Sequence, residues 1–210
     1  MWKDDPVNGV IVVASVIIGI IVLPNLFRVA KYVFGALLRC RETASLAASV
    51  SLSRERNLLF LVSLLPVSLL MSRYELYHIS LMDGQEPWVV SLMCLGALSL
   101  ALLLRYVLVN NFAPRRMGDA WKIARTNILN FFIIAAAAGL LIAGIASFTN
   151  LDDSLVRKVL LSVFSVLFAV IIYRNFEILS WKGQRFKAFL YLCGLELTPA
   201  VLLVVSAIIF

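Results

Sequence analysis

The sequence predicts an all-α integral membrane protein, a bundle of six transmembrane helices forming one domain over residues 1–210. Three observations carry that expectation. Of the 210 residues, 62% are hydrophobic and 15% charged, with a mean hydropathy of +0.96; a soluble domain is about 45–50% apolar and about 25% charged. Apolar runs long enough for a membrane helix, about 17–25 residues, recur along the chain. The basic residues between them fall almost wholly in alternate links. A soluble sphere of this size cannot hide so much apolar surface. Lipid must solvate most of it.

The six runs are Val7–Phe27, Asn57–Met71, Trp88–Leu108, Ile128–Phe148, Val156–Tyr173 and Phe186–Phe210. The second is short for a crossing. Their length and the lack of period-two alternation select helices over barrel strands. Asp4 and Asp5 ahead of the first run, and its length, predict a retained span and not a cleaved signal.

Lys and Arg near span ends stay on the cytoplasmic side. Arg28, Lys31, Arg39, Arg41, Arg54 and Arg56 lie between the first two runs. Arg105, Arg115, Arg116, Lys122 and Arg125 cluster about the link between the third and fourth. Arg174, Lys182, Arg185 and Lys187 follow the fifth. Only Lys3, Arg73, Arg157 and Lys158 lie on the opposite side, among Asp4, Asp5, Glu75, Asp83, Glu86, Asp152 and Asp153. The pattern predicts both termini outside the cytoplasm. The net charge of +7 then reflects orientation and contact with anionic headgroups. It does not point to a nucleic-acid partner, since no soluble basic and aromatic surface accompanies it.

The link after the first span has two readings. Arg28–Arg39 mixes bulky apolar residues with spaced cations, which fits a helix lying in the headgroup plane. An ordinary basic connector is the alternative. Thr43–Ser53 reads as a loop or weak helix. No inverted repeat emerges, because Pro66 and Pro199 have no counterparts in the spans a repeat would match.

Little in the chain suggests chemistry. Cys40, Cys94 and Cys193 are odd in number and widely spaced, and His78 is the only histidine. Neither set forms a metal-ligand pattern, and no phosphate loop or nucleophile elbow is present. No cofactor is expected. Asp152–Asp153 fits a helix start better than a cation site. His78 with Asp83 or Glu86 is a weak acid–base candidate. Ala135, Gly139, Ala143 and Ser147 recur at four-residue steps and predict a packing stripe for a neighbouring helix.

The informative residue is Glu196, near the middle of the sixth span. A charge there costs at least about 2.5–3.5 kcal/mol. The acid is therefore paired, neutral and hydrogen-bonded, or part of an ion path. Arg105 is the candidate partner, roughly 10 Å away along the membrane normal before tilt and side-chain reach are counted. Pro199 cannot donate to the carbonyl of Leu195, so the helix must bend or find another donor there.

Tyr191-Leu192-Cys193-Gly194-Leu195-Glu196-Leu197-Thr198-Pro199 resembles the Tyr-Leu-Cys-x-Leu-Glu-x-x-Pro ending of a family of uncharacterised polytopic inner-membrane proteins of the Bacteroidota, a domain of unknown function. Arg54-Glu55-Arg56 resembles the charged stretch before the corresponding helix of that family. The chain departs from the pattern in ending Ile208-Ile209-Phe210, without a terminal basic residue. The resemblance implies a cytoplasmic-membrane location and marks Tyr191, Cys193, Glu196 and Pro199 for testing. It brings no activity. The expected role is a non-enzymatic scaffold or accessory subunit of an envelope complex, bound to a membrane-protein partner or a second copy. A small transporter using Glu196, or a lipid-modifying enzyme, is the alternative.

Overall fold

The computed structural model describes residues 6–38, 49–111, 118–149, 151–180 and 185–209. It is 92% helix, with no strand among the described residues. The helices are α1 (Pro6–Leu38), α2 (Val50–Arg73), α3 (Pro87–Asn111), α4 (Gly118–Thr149), α5 (Asp153–Ser180), α6 (Arg185–Leu192) and α7 (Thr198–Ile209). A π-helical turn, Cys193–Leu197, joins the last two, and a 3₁₀ turn, Ser80–Met82, lies between α2 and α3. Five helices, α1 to α5, are long and apolar enough to cross a membrane. The protein is an all-α membrane protein.

The helices outrun the apolar windows that announce them. Second in order, α2 begins at Val50 and not near Asn57, with the Ser49 side chain accepting from the Leu52 N–H at 3.5 Å as its N-cap. It therefore has 24 residues, enough to cross. Hydropathy marks only the part of a helix that faces lipid. The polar ends continue because they pack on one another.

The same physics removes the interfacial helix. Arg28 to Leu38 simply continues α1, 33 residues in all. Val29 and Val33 are fully buried, packed with Leu52, Leu59 and Phe60 of α2, and Arg28 pairs with Glu55 at 3.3 Å. Burial against α2 makes this stretch part of the bundle and not a separate helix. Arg39, Cys40, Arg41 and the first part of Thr43–Ser53 lie outside the described residues, as do Lys3, Asp4, Asp5, Arg115, Arg116 and Lys182.

Helix α4 is central, packed on α1, α2 and α5; α2 also packs on α1 and α3, and α7 on α3. The small-residue stripe is used inside the chain. Gly139 is buried, and a Cβ there would meet Leu70 of α2 and Phe164 of α5, each at 3.1 Å. Ala143 is buried in the same cluster as Leu70 and Leu160, Ala135 is half-buried and Ser147 exposed. Ala136 and Ala146 extend the buried line. At the far end, the Ser91 hydroxyl lies 3.0 Å from Ser72 Oγ and 3.3 Å from Asn8 Oδ1, tying α1, α2 and α3 with polar contacts where no hydrophobic drive operates between helices in lipid.

Gly139→Val should lower thermal stability in detergent by about 1–3 kcal/mol through overpacking. Gly144→Ala, where an added Cβ meets nothing within 4 Å, should leave it unchanged or slightly raised. Equal melting of the two variants would contradict the close three-helix approach.

Candidate functional site

Glu196 sits in the π turn, three residues ahead of Pro199. The wider π register and Pro199 occur together, and the Thr198 hydroxyl donates to the Cys193 carbonyl five residues back, at 3.3 Å. Such a turn holds an extra residue and re-aims the side chains within it. It sets Glu196 against α3.

There the structure brings Glu196 and Arg105 together. Arg105 Nε donates to Glu196 Oε2 at 2.8 Å and Arg105 Nη2 to Oε1 at 2.5 Å. The two side chains are only 10% and 11% exposed. Two parallel bonds from a planar guanidinium make a fork that a lysine cannot reproduce. Asn175 Nδ2 of α5 approaches Glu196 Oε1 at 3.4 Å, and Asn127 Nδ2 of α4 donates to Asn175 Oδ1 at 3.0 Å. Arg105 Nη2 also reaches the Arg125 carbonyl at 3.5 Å. One polar chain thus links α3, α4, α5 and the π turn.

The other motif residues surround this pair without joining it. Tyr191 makes an edge-to-face contact with Trp121, with centroids 5.6 Å apart. Cys193 is a half-buried free thiol, and Pro199 is buried on the wall of an apolar groove. That groove, of about 560 Å³, runs between α3, α4, α5 and α7 and reaches the ion pair. On the other side, a crevice of about 10 Å³ touches Glu196, Asn175, Arg125 and Tyr191. It has room for about one water.

Sequence reasoning missed Asn127, Asn130 and Asn175, all fully buried. Two of them flank apolar runs, where an amide reads as a span boundary. The signal available was one asparagine at a helical step from another, Asn127 to Asn130, which puts both on one face. Asn130 makes no side-chain hydrogen bond within the described protein.

The charged residues at the opposite end of the bundle pair locally. His78 Nε2 lies 2.8 Å from Asp83 Oδ1, and Arg157 lies 3.5 Å from Glu75. Asp152 accepts from the Ser154 hydroxyl at 2.5 Å, and its carbonyl accepts from the Leu155 and Val156 N–H groups, so it opens α5. Among the described residues, no three His, Cys, Asp or Glu side chains group as metal ligands. Tyr74, at the end of α2, is buried, and its hydroxyl has no hydrogen-bond partner among the described residues. Burial pushes its ionisation above the ordinary phenol value; Arg73 opposes this and Asp153 adds to it.

Comparison with protein-family models, curated proteins and solved structures finds no match in any of the three.

Two expectations follow from this geometry. Arg105→Gln or Glu196→Gln alone should destabilise the detergent-solubilised protein by about 3–5 kcal/mol, because each strands a buried charge. The double variant should lose less than the sum, and strictly additive melting shifts would contradict the pair. Tyr74→Phe should match or exceed the parent stability at neutral pH, since it removes a buried hydroxyl without a partner. A raised folded value means that this part of the stability is present below the unfolded phenol pKa and lost as pH climbs through the folded one. Alkaline melting should therefore weaken less steeply in Tyr74→Phe, and identical alkaline profiles would refute the assignment.

Proposed function

We infer that the chain is a six-span, non-enzymatic protein of the cytoplasmic membrane, with both termini on the periplasmic side, acting as a scaffold or accessory subunit. Five crossings are the long helices. The sixth is the run 185–209, in which α6, the π turn and α7 together provide about 37 Å of helix. That exceeds the hydrocarbon thickness of about 30 Å. The alternate sorting of Lys and Arg supports the orientation, and the resemblance of the Tyr191–Pro199 motif to the Bacteroidota inner-membrane family supports the location.

One observation carries the scaffold reading. Both oxygens of Glu196 are engaged by Arg105, with Asn175 beside them. A carboxylate held by a forked guanidinium works as a fastener between helices. A relay needs an acid that releases and regains protons along a chain of ionisable neighbours. Here the acid is held by an arginine, with the amides of Asn175 and Asn127 next in line. The partners this reading calls for are anionic lipid headgroups on the basic side and a membrane-protein surface, another chain or a second copy.

Two measurements test it. On a cysteine-free background, Arg115→Cys should be shielded from an impermeant thiol reagent in intact cells, whereas Asp83→Cys should react. The reverse pattern would overturn the topology. In proteoliposomes carrying an internal pH dye, the protein should leak protons no faster than lipid alone. A leak abolished by Glu196→Gln would contradict the scaffold reading in favour of transport.

A further inference from the structure

A second cavity, of about 540 Å³, opens at the end of the bundle where α2 starts, α3 ends and α4 starts. Its wall carries Arg56, Arg105, Lys122 and Arg125, with the polar side chains of Ser53, Asn57 and Thr126. No carboxylate is among the described residues lining it. Glu196 neutralises Arg105 from behind. Arg125 stacks its guanidinium over the Tyr106 ring at 5.3 Å.

Arg56 is the anomaly. It is 2% exposed, yet its bonding partners among the described residues are neutral: Asn57 Oδ1 at 3.0 Å from Nη2 and 3.3 Å from Nε, and Ser53 Oγ at 3.0 Å from Nη2. Among the described residues its Nη1 has no acceptor and no carboxylate pairs with it. A buried guanidinium whose described neighbours supply no counter-charge is costly. An anion in the cavity supplies that counter-charge across the wall that Arg56 helps to form.

We propose that this cavity binds the phosphate of an anionic membrane phospholipid, held by Arg56 and Arg125. Depth and rim select a lipid over a soluble phosphate. Arg56 and Arg105 lie six residues inside their helix ends and Arg125 seven, about 9–10 Å, the level at which headgroups meet acyl chains. Leu61 and Tyr106, which line the opening, are 64% and 56% exposed. They offer the apolar flank that acyl chains cover and that a free ion does not need. The site goes beyond the scaffold reading, since a general attraction of basic links to headgroups requires no cavity and no buried arginine.

The test titrates the full chain, in an uncharged detergent, with dioleoyl-phosphatidylglycerol, dioleoyl-phosphatidylcholine or inorganic phosphate, and follows the melting midpoint. Phosphatidylglycerol should raise it saturably, and the other two should not. Arg56→Gln and Arg125→Gln should each weaken the apparent affinity by about fivefold. Arg157→Gln, at the opposite end, should not. Arg125 supplies the readout where the Arg56 variant does not fold. An equal response to phosphatidylcholine, or unchanged affinity in Arg125→Gln, overturns the site. Displacement of the lipid by inorganic phosphate overturns the lipid assignment and leaves a soluble-anion site.

Discussion

A buried charge must find an opposite charge, and in this chain that requirement joins the last helical run to the rest. The side chain of Glu196 is buried at 11% exposure, and Arg105 is what it meets. Between membrane helices the hydrophobic effect supplies no net drive, because the alternative to a neighbour is lipid of equal polarity. Packing, hydrogen bonds and the ion pair therefore decide which helices adhere. The π turn, Pro199 and the bidentate guanidinium form one device. The turn aims the acid, and the fork reads its orientation.

A second layer of polar contacts extends that device. Asn175 and Asn127 carry the network from the π turn across α5 to α4, and the Ser91 contacts hold α1, α2 and α3 at the other end. The small residues of α4 fill the middle, where Gly139 lets α2 and α5 approach at once. The bundle is thus stitched at both ends and close-packed between them. Its outer surface remains apolar, as Val10, Ile20, Leu100, Leu141 and Val204 illustrate.

Much of this is legible in the sequence, for physical reasons. Spans are readable because twenty apolar residues in a row have few other uses. Their ends are not, because a polar helix end that packs on a neighbour has the composition of a loop; α2 from Val50 and α1 beyond Phe27 both hide in that way. Glu196 stands out as a lone acid in an apolar run, and Arg105 as a basic residue whose long side chain and helix tilt can cover the roughly 10 Å between them. Asn175 does not stand out, since a neutral amide at the edge of a span is unremarkable until tertiary structure surrounds it. Arg56 is hidden for the same reason. Among six basic residues in one link, composition cannot tell which is buried.

The most direct test of the central claim is a distance. Solid-state NMR on the protein in lipid, with ¹⁵N in the arginine side chains and ¹³C in the glutamate carboxyls, measures dipolar recoupling between the two. Subtracting the Glu196→Gln spectrum isolates the Arg105–Glu196 contact from the exposed pairs, such as Arg174–Glu177. The account predicts a difference signal recoupled at hydrogen-bonded range. A difference spectrum without recoupling would mean that Glu196 is satisfied by something other than Arg105, and the bundle is closed by another interaction.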